Sequence, residues 1–132
     1  MNKIKWLDRT LSRCTYYYGI CYSKKQFKKE LKQFKINKRI WPDFIKSTNF
    51  ARVNYFTMEG KGIAFVCLDG KASLKRKLTS VYGILVHEAT HIWQAHLEEI
   101  GGKGSSEEEA YAIQEISQNL IEAYNEYRKE RK

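Results

Sequence analysis

The chain has 132 residues, 42% of them hydrophobic, which is enough for one domain (1–132) with a modest core. It holds no run of about eighteen apolar residues, so a membrane-spanning helix is excluded. The formal charge of +9 is unevenly laid: residues 1–80 hold 19 Lys and Arg against 5 Asp and Glu, a net +14, and residues 81–132 hold 5 against 10, a net −5.

In chain order, residues 1–6 are too short and polar for a signal peptide, so action in the cytoplasm is expected. Residues 6–22 are rich in aromatics (Trp6, Tyr16, Tyr17, Tyr18, Tyr22) and fit either a short helix or a strand. Core packing is the commoner fate of such residues, ahead of a base-stacking platform. Ser23 is placed to cap an amphipathic helix over 24–35. Phe27, Leu31 and Phe34 share one face of it, and Lys24, Lys25, Lys28, Lys29, Lys32 and Lys35 surround the rest. That stripe is expected to pack inward rather than lie on a membrane. Pro42 marks a connection.

Residues 51–58 read as a strand, 59–62 as a turn and 63–68 as a second strand ended by Asp69-Gly70. A turn around Ser73 leads into a long helix within 71–99, stopped by Gly101 and Gly102. Ser105 or Ser106 caps a last helix over 106–130, with Ile113, Ile116, Leu120, Tyr124 and Tyr127 facing inward. The fold class is α+β. Cys14, Cys21 and Cys67 are odd in number and lack metal spacing, so they read as reduced thiols.

The chemistry concentrates in His87-Glu88-Ala89-Thr90-His91. Two His four positions apart lie on one helical face, one turn apart, and can reach one metal ion. Glu88 is better placed to reach a water carried by that ion, as general base. A chance match is expected in on the order of one chain in a few hundred, so context decides. The context is a helix: Val81, Ile84, Leu85 and Val86 precede the motif, and Ile92, Trp93, Ala95 and Leu97 continue the pattern. His96 is rotated off the ligand face and reads as a surface residue or a support to the ligands. A catalytic zinc needs a third protein ligand. Glu107, Glu108 and Glu109 open the last helix, where the dipole favours acids in any case. Glu108 reads as plain helix charge, and Glu107 or Glu109 as the ligand.

Glu107-x-Glu109-Ala110-Tyr111 resembles the Glu-x-x-Ala-Asp ligand helix of gluzincins, zinc peptidases with His-Glu-x-x-His on one helix and a Glu ligand on the next. The segments 87–94 and 109–114 look like small metallopeptidase-type proteins encoded by bacteriophages, over about residues 50–125. The resemblance implies Glu107 as third ligand, Ala110 as the small residue where helices approach, and Tyr111 where many members have Asp. It implies a minimal zincin-like domain. A small antiparallel hairpin sheet would pack on the active-site helix and on a C-terminal ligand helix, with residues 63–68 as the edge strand that binds substrate backbone.

The expected activity is zinc-dependent peptide-bond hydrolysis. Zn²⁺ on His87, His91 and Glu107 would acidify a water, and Glu88 would take its proton and pass it to the leaving amine. Tyr111 or another tyrosine would steady the oxyanion. The substrate is a protein or peptide, met in a bacterial host cell if the phage-like resemblance holds. Two alternatives stand. One is a DNA-associated metalloprotease resembling the SprT-like group, for which the basic N-terminal part would supply a nucleic-acid surface. The other is a non-catalytic zinc-binding phage or structural protein. A plainly solvated surface is the simpler account of the basic half, since no nucleic-acid module is visible.

Overall fold

The structure is a computed structural model that describes residues 16–46, 49–58, 61–102 and 105–131. Trp6, Cys14, the turn at 59–60 and the last residue of the basic tail lie outside the described residues. The described elements form a mixed α+β arrangement: β1 (Tyr16–Cys21), α1 (Lys24–Gln33), a 3₁₀ turn (Lys38–Ile40), β2 (Ala51–Met58), β3 (Lys61–Leu68), α2 (Gly70–Ser73), α3 (Leu78–Ile100) and α4 (Ser106–Glu130). The aromatic segment resolves as strand where it is described. No helix among these residues is long and apolar enough to cross a membrane.

The sheet runs β1-β3-β2. β2 and β3 are the expected antiparallel hairpin, with Val53 opposite Val66. β1 lies parallel to β3, with Tyr18 opposite Ala64, so the sheet is mixed rather than purely antiparallel. Parallel neighbours need a crossover, and α1 lies within it. The edge assignment is also corrected. Residues 63–68 belong to the central strand, and β2 is an edge. The physical reason is in the side chains. Ile63 to Leu68 is an unbroken apolar run, all buried, which suits a strand covered on both faces. β2 interleaves Arg52, Asn54 and Thr57 with apolar residues, as a strand covered less fully does.

Pleating divides the core. Tyr18, Ile20, Ala64, Val66 and Leu68 face α3 and α4 and pack with Leu85, Ile92, Trp93, Ile116, Leu120 and Tyr124. Cys21, Ile63, Phe65 and Cys67 face α1 and pack with Phe27 and Leu31. α1 starts at Ser23, whose hydroxyl accepts from the Gln26 amide, and its apolar stripe does pack inward. α3 and α4 are antiparallel: Tyr82, near the start of α3, donates to Asn125 Oδ1 near the end of α4 at 2.7 Å.

Candidate metal centre

His87, Glu88 and His91 stand in the middle of α3. The helix carries them because its other face is a dense apolar stripe, Val81, Leu85, Ala89, Ile92 and Trp93, buried against the sheet and α4. The two imidazoles emerge on the exposed side while Glu88 turns inward and is only 4% exposed.

The His87 and His91 Nε2 atoms lie 3.1 Å apart, with rings nearly perpendicular at 86°. Zinc bonds to imidazole nitrogen are about 2.0–2.1 Å, so two ligands at a tetrahedral angle stand about 3.3 Å apart. The pair fits one such ion with almost no adjustment. His91 Nδ1 lies 3.2 Å from Gln94 Oε1, so a proton held on Nδ1 leaves Nε2 free to ligate. Donor atoms of His87, Glu88 and His91 all lie within 4.8 Å of one another, the one such group of three among the described residues. Burial holds the Glu88 carboxyl above the usual carboxylate range, while His87 and His91 pull it back down. A carboxylate with that bias takes up a proton readily.

The histidines and Glu88 line a cleft of about 820 Å³ between α3 and β2. Lys46, Asn49, Phe50 and residues of β2 including Arg52 and Tyr55 form one wall, and Ser80, Gly83 and Ile84 extend the other. A Cβ added at Gly83 would have nothing within 4 Å, so the helix leaves the cleft open there.

Glu107 is not brought into the cluster. It is exposed in the first turn of α4, as are Glu108 and Glu109. With Tyr82 and Asn125 level, a rise of 1.5 Å per residue leaves Glu107 about 13 Å along the helices from the level of His91. Tyr111 is half exposed on α4 and does not line the cleft, whereas Tyr55 does. His96 is off the ligand face as expected, but it is buried, its ring 4.9 Å from Trp93, rather than at the surface. The motif alone did not reveal Gln94 or the β2 wall. Gln94 was legible as an i+3 neighbour of His91, whereas the wall depends on strand order. Comparison with family models, with curated proteins and with solved structures finds no match to this chain.

Proposed function

We propose that the chain is a zinc-dependent peptidase of minimal zincin type, with His87 and His91 as metal ligands and Glu88 as general base. The observation that carries the reading is the 3.1 Å pair of Nε2 atoms opening onto a cleft beside a buried carboxylate. Bound zinc would supply the Lewis acidity that acidifies a water and polarises a carbonyl. Glu88 takes the proton from the attacking water and delivers it to the leaving amine. Edge strand β2 forms the opposite wall, where an extended peptide can add as a further strand. Tyr55 lines that wall and is the tyrosine we assign to steady the developing oxyanion.

The third ligand rests on the resemblance, which assigns it to Glu107. Glu107 and Glu109 both open α4, about 13 Å or less along the helices from the level of His91, so either can ligate only if the start of α4 approaches the histidines. Loss of zinc in Glu107→Ala would give Glu107 the role, and retention passes the position to Glu109 or another group. A purely structural zinc is the competing account, but structural sites are closed, and exposed imidazoles on a cleft speak for an accessible coordination position. The buried, unpaired thiols of Cys21 and Cys67 support action in a reducing compartment such as a bacterial cytoplasm. The decisive test is Glu88→Gln. It should keep zinc and lose turnover of a quenched-fluorescence peptide library, and retained turnover would sink the assignment.

One observation favours a nucleic-acid partner as well. Lys24, Lys25, Lys28, Lys29 and Lys32 are all exposed on α1, and its one acid, Glu30, is buried at 5% exposure. Duplex DNA should then bind with an affinity that falls steeply with salt. Absence of binding at 50 mM salt removes this partner.

A further inference from the structure

One end of the α3–α4 pair gathers α2 and the loop that follows it. A Cβ at Gly70 would meet the Tyr127 hydroxyl, and the Tyr124 hydroxyl donates to Ser73 Oγ at 2.9 Å. Leu78 lines a cavity of about 350 Å³ with Asn125, Glu126, Arg128 and Lys129. These contacts bring residues 70–78 and the last turns of α4 to one pole of the molecule. Lys71, Lys75, Arg76, Lys77, Lys129 and Arg131 are exposed there, and Arg128 is half-buried. Over residues 69–78 and 125–131 these seven cations meet three acids, Asp69, Glu126 and Glu130, and Asp69 is taken up in capping α2. α3 opens on Lys77 with no side-chain cap and no acid in its first turn, so the positive end of its dipole adds to the same field. Amid these charges Leu74 and Leu78, four residues apart, are 38% and 37% exposed.

We infer that this pole docks on an anionic lipid bilayer. Neither the histidines nor zinc takes part. Charge alone would suit any polyanion, and the two leucines decide. A nucleic-acid backbone gives an aliphatic side chain nothing to bury against. The boundary between headgroups and acyl chains accepts leucine, while the long stems of lysine and arginine carry their charges to the phosphates. Firm attachment takes an apolar and a cationic signal together, and both are present here. Arg76 lies 3.8 Å over the ring of Phe50, and Phe50 and Ser80 line the cleft, so docking brings that end of the cleft to the bilayer surface.

The test is co-sedimentation of the full chain with vesicles of phosphatidylcholine alone and of phosphatidylcholine with about one-third phosphatidylglycerol. The anionic vesicles should bind at least about tenfold more tightly than the neutral ones, and less so as salt rises. Lys75→Glu with Lys77→Glu should weaken that binding at least about tenfold. Leu74→Ser with Leu78→Ser should weaken it on the order of tenfold with every charge kept. Lys28→Glu with Lys29→Glu, on α1 across the sheet, should change it by less than about threefold. Thermal melts check that each variant is folded. No binding to anionic vesicles overturns the inference. So does an equal loss in the α1 variant, which makes the attraction one of net charge, or full binding by the folded leucine variant, which removes insertion. Duplex DNA bound through Lys75 and Lys77 by a chain that ignores vesicles would give the pole to nucleic acid instead. Because no zinc is needed, the outcome is independent of whether the chain proves to be a peptidase.

Discussion

Gly83 shows how single positions set both stability and access. It lies inside α3, where glycine costs about 1 kcal/mol relative to alanine, and a Cβ there would meet open space. Gly83→Ala is therefore expected to raise stability by about 0.5–1 kcal/mol in urea denaturation while weakening peptide binding in the cleft. Unchanged stability would mean that the helix is strained there in a way the contacts do not show. His96 gives a pH signature. Burial holds its imidazole below the ordinary value, with Glu99 and Glu108 pulling it up less strongly. The neutral ring suits the fold, so its contribution is complete above the unfolded value of about 6.5 and is lost as pH falls below it. His96→Gln should flatten the decline of the urea midpoint from pH 7 to 5, and an equal decline in both proteins would contradict this. The site was legible at this scale because His87, Glu88 and His91 are local in sequence. The burial of His96 was not, because it depends on how Trp93 and the neighbouring helix close around it.

Two helices end on the same device built from different residues. At the end of α3 the Gly102 amide donates to Leu97 O and the Gly101 amide to Glu98 O, with Gly101 at φ 62°. At the end of α1 the Ile36 amide donates to Leu31 O and the Lys35 amide to Lys32 O, with Lys35 at φ 57°. Glycine adopts that conformation freely, and lysine does so at about 1 kcal/mol or more. Lys35→Gly is expected to raise the melting temperature by a few degrees, and a lower melting temperature would count against the left-handed assignment. The caps explain why element bounds were readable: Ser23 and Ser105 accept amide bonds where the sequence places helix starts, and glycine ends α3. β1 was ambiguous because Tyr16, Tyr17 and Tyr18 show no period. Its strand state comes from pairing with β3, a partner 46 positions away in register.

Across the whole molecule, three layers hold the site in place: α1, the sheet, then α3 with α4. The order β1-β3-β2 makes β2 an edge and so a cleft wall. Hairpin adjacency alone leaves open which strand of the pair is central, although the apolar run of β3 carried the signal. The third ligand is the part least legible, since it depends on how far the start of α4 lies from the histidines rather than on any local pattern. The central claim is that His87 and His91 share a zinc ion, and elemental analysis of the purified protein, wild type beside His87→Ala and His91→Ala, tests it most directly. One zinc per chain in the wild type, lost in both variants, is the result the geometry predicts. No zinc in the wild type after reconstitution, or zinc kept in both variants, would contradict it.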